Sequence, residues 1–363
     1  MIDRNVFREV DWYLIGLLLL NAALGCLFIY SAAHDQPGQV YLKQISWLGL
    51  SCLALFLILL IDYKILITYS PAFYVLGLIA LTALFAFGKI AGGAKSWYQL
   101  GFMGVQPSEI MKVILVLVLA RIFAEYNRSK VSVIRAAASA GVTLLPMALV
   151  SLQPDIGTAF TYVPLLLSAL YLAGLGRKTV VVLVLVSLAG GFFGWNFVLK
   201  DYQKKRILTL VTPSLDRQGA GYQIAQSKIA IGSGGLLGKG LKKGTQSQLR
   251  FLPARHTDFI FSVLGEEFGF VGIAAAMAVY FALIFRLFQS IGKARDRSGI
   301  YIIFMVVVLL TFQFLVNVLM VVGLFPVTGI PLPFFSYGGS SLLSSFLAVG
   351  LALNVKMRRF ANV

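Results

Sequence analysis

Three carboxylates stand where apolar helices begin. Glu109 follows Gln106-Pro107-Ser108, Asp155 follows Gln153-Pro154, and Asp258 follows His256-Thr257, each just ahead of a hydrophobic run. Such a carboxylate has a plain structural use, because the helix dipole favours it by roughly 0.3–1 kcal/mol. It also has a chemical use: held at the mouth of a membrane helix, where a lipid head group arrives, it can take a proton from a hydroxyl. Ionisable groups inside apolar spans are costly, so three at one depth are harder to dismiss as caps than any one alone. Lys112 stands at i+3 from Glu109, on the same helix face. That pair reads either as an ion pair closing the bundle or as a phosphate-binding cation beside a tuned carboxylate.

The elements that position these groups follow from composition. Hydrophobic residues make up 59% of the chain and charged residues 12%, with a mean hydropathy of +0.86. Soluble domains carry about 25% charged residues, so most of this chain faces something other than water. The expected fold class is an all-α integral membrane protein, a single polytopic domain over 1–363 without room for a soluble one. Apolar runs of about 18 residues or more read as spans, and ten are expected, near 12–32, 41–61, 69–88, 107–125, 133–151, 154–174, 179–198, 258–286, 299–323 and 334–355. Thr257 is the expected N-cap of the eighth span, with Asp258 in its first turn. The first run is too long for a signal h-region and reads as an uncleaved helix. Cys26, Cys52, His34 and His256 offer no disulfide framework or metal cluster.

An even count puts both termini on one side. The short loops on that side carry most of the basic residues, among them Lys64, Arg128, Arg177, Lys293 and Arg358, which makes it the cytoplasmic side. Residues 199–257 form the one long loop, on the outer face, with eleven Lys or Arg against Asp201 and Asp216. A basic surface there attracts lipid head groups and phosphates; a solvated loop touching anionic lipid is the alternative. Within it, Tyr222, Ala225 and Ile229 share one face of a short amphipathic helix expected to lie on the membrane. The glycine run from Gly232 to Gly240 reads as a flexible hinge or as a nest of N–H groups for phosphate, without the spacing of an ATP site. Farther on, Glu266 and Glu267 require that at least one face the bundle interior or a partner. The small residues of Ser336 to Ser341 allow close helix packing or leave room for a lipid chain.

The stretches FLPARHTDFIFSVLGEEFG, QPSEIMK, QPDIGTA and GLFPVTGIPLPFFSYGGSSLL, in their order along the chain, resemble the SEDS family (shape, elongation, division and sporulation) of bacterial cell-wall proteins. The resemblance runs from Trp12 to Arg359, and Phe251-Leu252-Pro253 and the segment 331–336 are more similar to its elongation branch than to its division branch. It implies a bacterial inner-membrane glycosyltransferase that polymerises lipid II beside a class B penicillin-binding protein. The family's essential aspartate falls on Asp258 and its polar cavity residues on Glu109, Lys112 and Asp155. In that reaction Asp258 would take the proton of the acceptor sugar hydroxyl. Lys112 with Arg206, Lys239 and Arg255 would bind pyrophosphate, and a divalent cation, Mg or Mn, could sit on Asp155 or Glu109. The competing readings are a lipid II flippase or lipid carrier, and a non-catalytic scaffold for the penicillin-binding protein. Nucleic acid is not an expected partner despite the net charge of +17, because the basic residues are spread over membrane loops.

Overall fold

A computed structural model describes residues 9–33, 40–91, 94–101, 103–124, 131–174, 201–212 and 219–360, with isolated positions 176, 181, 185, 196 and 216. Among the described residues, seven helices are long and apolar enough to cross a membrane: α1 (Trp12–Ala33), α2 (Val40–Leu60), α3 (Tyr63–Phe87), α5 (Val133–Leu152), α11 (Ile260–Ile291), α12 (Arg297–Val321) and α13 (Gly339–Met357). The more polar α4 (Pro107–Ala124) crosses beside them, carrying Glu109, Lys112 and Arg121. The sixth expected span divides into α6 (Ile156–Phe160) and α7 (Tyr162–Leu172), with a break at Thr161. The seventh, 179–198, lies outside the described residues apart from isolated positions.

Packing sorts the helices by depth. Of the most apolar stretch of α13, 89% is buried, against 17% for α3, so α13 is central and α3 faces outward. α13 packs on α2, α12 and α4, while α11 packs on α1 and α12. Where α1, α11 and α13 meet at one end, Asp11 accepts from Arg286 at 2.8 Å and from Lys356. Burial alone would push the Asp11 carboxyl up, yet these two cations hold it down at about 2.

Three features differ from the sequence reading. A small antiparallel sheet, β1 (Lys89–Ala91), β2 (Ala94–Leu100) and β3 (Met103–Val105), fills the connection between α3 and α4. The long basic segment is folded, holding α8 (Asp201–Val211), α9 (Ala220–Gly234) and α10 (Thr245–Gln248). α9 buries Ala220, Ile224, Ser227 and Ala230 against the bundle, principally on α11, which leaves Ala225 and Ile229 on its outer face. Finally, α11 starts at Ile260 rather than at Asp258, and Thr257 does not cap it. The Thr257 hydroxyl bonds back to the Ala254 carbonyl, and the Phe259 N–H does the same at 3.1 Å, so residues 254–259 close a turn before the helix begins.

The glycine run has a structural task. At Gly269 the backbone of α11 leaves helical geometry (φ 64°, ψ −161°), a conformation that favours glycine. The break frees backbone groups, and the run supplies their partners. Lys239 and Gly240 donate to the carbonyls of Glu266 and Glu267 at 3.0 and 2.8 Å, while Phe270 and Val271 donate to Gly235 and Leu236 at 2.9 and 3.1 Å. With those N–H groups committed, neither a phosphate nest nor a flexible hinge describes this segment.

Candidate active site

A cavity of about 540 Å³ brings the three helix-mouth carboxylates together. Its polar wall includes Gln106, Glu109, Asp155, Arg206, Asp258 and Tyr337; Trp97, Phe160, Phe325 and Pro331 give it an apolar side. Each carboxylate is delivered by a different element, which is why no short sequence motif contains the site.

Glu109 rides on the first turn of α4, whose opening residue is Pro107. Proline suits that position because its missing N–H would be unpaired there anyway. Lys112 bonds Glu109 at 2.7 Å, with both side chains almost fully buried, and Ser344 of α13 donates to the same carboxylate at 2.9 Å. Lys112 therefore supports the cavity from behind Glu109 and is not part of its lining. Asp155 caps α6, accepting the Thr158 N–H at 3.2 Å, and Gln106 donates to its other oxygen at 2.6 Å. Gln106 thus joins the starts of α4 and α6.

Asp258 lies in the turn before α11, outside the spanning helix, beside Gly329. Burial pushes its carboxyl up to about 6, against the pull of Arg206 and a hydrogen bond with Thr257. A carboxylate of that strength is ionised at neutral pH and is a better proton acceptor than an ordinary aspartate. Arg206, from α8, reaches the cavity with its guanidinium bonded to the Val327 carbonyl at 3.3 Å. The neighbouring His256 is held neutral, its pKa lowered by burial and then by Arg255, and its ring packs 5.7 Å from Tyr337.

Two residues proposed for anion binding go elsewhere. Lys239 bonds Glu266 at 2.8 Å, and Arg255, 2% exposed, donates to the carbonyls of Ser247 and Gln248. Neither lines the cavity. Their place in the basic outer segment suggested them, but the fold commits Lys239 to Glu266 of α11 and Arg255 to loop carbonyls. Conversely, Trp97 and Tyr337 line the cavity without having been singled out from the sequence. An aromatic pair within the polar stretch 94–100 was the available signal for Trp97. Among the described residues, no group of three or more His, Cys, Asp or Glu is arranged to hold a metal ion. A divalent cation on Asp155 or Glu109 would draw its remaining ligands from bound phosphate and water.

This architecture defines a multi-pass helical membrane protein with an acidic cavity at its helix mouths. The model of the FtsW, RodA and SpoVE family, described as cell cycle protein, matches residues 11–360, and the chain belongs to that family. It is 39% identical over 351 residues to the peptidoglycan glycosyltransferase MrdB of Escherichia coli K12, covering 97% of this chain and 94% of that one. A solved chain from a peptidoglycan synthase complex that coordinates polymerization and crosslinking superposes with a TM-score of 0.84 at 32% identity, covering 97% and 99% of the two chains. The rod shape determining protein RodA of Thermus thermophilus gives a TM-score of 0.72 at 29% identity, with 97% and 98% covered.

Proposed function

We propose that this protein is a peptidoglycan glycosyltransferase of cell elongation that polymerises lipid II, with Asp258 as the general base. Asp258 takes the proton of the acceptor sugar 4-hydroxyl as that oxygen bonds to C1 of the donor sugar. The C1–O bond to pyrophosphate breaks, and the lipid pyrophosphate leaves with the electron pair. Arg206, on the same cavity, stabilises the departing charge. Lys112 holds Glu109 in place through their ion pair. Asp155 or Glu109 would hold a divalent cation, Mg or Mn, if one is used, and it would supply positive charge against the departing pyrophosphate. The supporting observation is the shared cavity: Asp258, Asp155, Glu109 and Arg206 come from four separate elements and converge on one space.

In this reading the whole chain is one membrane domain with both termini in the cytoplasm. The cavity lies toward the outer face of the bacterial inner membrane, where a class B penicillin-binding protein works beside it. The test is product analysis of the purified protein given lipid II, with and without that partner and Mg or Mn. Glycan strands formed without a second polymerase support the transferase. Lipid translocation without bond formation would make the protein a carrier, and polymer that requires the partner but survives Asp258→Ala would make it a scaffold.

A further inference from the structure

Three consecutive carbonyls of the Asp258 turn are each held by a donor from elsewhere in the chain. The Tyr337 N–H donates to His256 O at 2.8 Å, the Ser336 hydroxyl to Thr257 O at 2.6 Å, and the Asn317 amide to Asp258 O at 3.0 Å. The second Asn317 hydrogen goes to Ile330 O at 2.9 Å, between Gly329 and Pro331, which line the cavity beside Asp258. Ser336 is fixed in turn, accepting the Leu332 N–H at 2.9 Å. Asn317 is fully buried and Ser336 is 5% exposed. Neither lines the cavity, so neither is placed to touch substrate.

Resting on the proposed general-base role of Asp258, we infer that Asn317 and Ser336 are positioning residues that set the pose and the dryness of the Asp258 carboxylate. The physical argument is one of directions. The hydrogen bonds to the Ala254 carbonyl close this turn without a side-chain cap, and any remaining rotation of its peptide planes swings the Asp258 side chain. Pinning three successive carbonyls from two other elements removes that freedom, and a shift of about 1 Å at a reacting group costs on the order of 100-fold in rate. The clamp also ties the turn to the 330–337 segment, which shields the carboxylate from water and so maintains its raised pKa. The charged and titratable groups around that carboxylate are Arg206 from α8, Glu109 and Asp155 across the cavity, and His256 and Tyr337 beside the turn. Because Asn317 and Ser336 are uncharged, their removal changes no Coulomb partner of Asp258.

The test uses the full-length protein in detergent or nanodiscs, with lipid II as substrate, and compares Ser336→Ala, Ser336→Thr, Asn317→Ala and Asp258→Asn with wild type. Ser336→Ala and Asn317→Ala are expected to lower kcat about 10- to 100-fold with KM nearly unchanged, to move the acid limb of the rate profile to lower pH, and to be partly rescued in Ser336→Thr. Independently of activity, difference infrared titration of the carboxyl band that is lost in Asp258→Asn should show its midpoint falling in the clamp variants. Equal kcat and an unmoved infrared midpoint in Ser336→Ala and Asn317→Ala would overturn the inference while leaving the base assignment intact. If Asp258→Asn polymerises normally the base assignment fails, and the infrared midpoint alone then decides whether the clamp sets the carboxylate.

Discussion

Two of the places where the molecule buries acidic side chains treat them oppositely. At the interlock of α11 with the glycine run, Glu266 accepts from Lys239, Thr245 and the N–H groups of Gln246 and Ser247 at 2.8–3.2 Å. Glu267 accepts from Ser31 and Gln248. Both are at most 1% exposed, and every oxygen of the pair accepts a hydrogen bond from the chain. At the cavity, Asp258 is only partly covered, sits beside an open space, and has its carboxyl pushed up to about 6. What separates Asp258 from that pair is donor supply; its cavity neighbours Glu109 and Asp155 are themselves held by Lys112, Ser344, Gln106 and Thr158. A carboxylate with a full set of donors is a structural pin, and one left facing a void retains a lone pair for a substrate proton.

The sharpest way to break this comparison is to neutralise one acid in each region. Asp258→Asn keeps the shape of the side chain and should lower polymerisation by about 10²–10⁴-fold, with melting temperature and membrane insertion near wild type. Glu266→Ala should do the reverse. It removes the acceptor shared by Lys239 and the Gln246 and Ser247 N–H groups, a loss of about 1–3 kcal/mol in stability, measured by thermal unfolding, while folded molecules retain activity. Gly269→Ala probes the same interlock through the backbone. Its φ of 64° with ψ of −161° is an essentially glycine-only conformation that costs other residues about 1–3 kcal/mol, and an added Cβ would stand 2.4 Å from the Gly238 nitrogen and 2.6 Å from the Leu236 oxygen. A lowered melting temperature with unchanged kcat is expected.

The smallest effect is in pH. Because the general base must be ionised, kcat/KM should fall about tenfold per unit as the pH drops below about 6, and this limb should vanish in whatever residual activity Asp258→Asn retains. The sign for folding is opposite. The folded state binds this proton before the unfolded chain does, so Asp258 contributes more stability as the pH falls from about 6 toward 4.

Much of the scaffold was legible because hydrophobic length is a local property. Trp12–Ala33, Val40–Leu60 and Pro107–Ala124 begin and end within a residue or two of where the apolar runs do. The convergence of Glu109, Asp155 and Asp258 was legible too, since spans of alternating direction put their starts at one membrane level. What stayed hidden depended on choice of partner. Lys239 and Arg255 belong to the basic outer segment that leads to Asp258, yet a glutamate and two loop carbonyls bind them first. The strands at 89–105 were hidden because each is only three to seven residues long. The start of α11 was misjudged because the Thr257 hydroxyl donates to the Ala254 carbonyl instead of accepting a first-turn N–H. Asn317 carries no local signal at all; its importance comes from two carbonyls distant in sequence.

The most direct test is the amount of glycan strand made from lipid II by folded, purified Asp258→Asn protein, with its melting temperature measured on the same sample. The account predicts an unchanged melting temperature and polymer reduced at least 100-fold. Polymer at the wild-type rate would contradict it, because the open carboxylate would then be no more chemical than the saturated pair at Glu266 and Glu267.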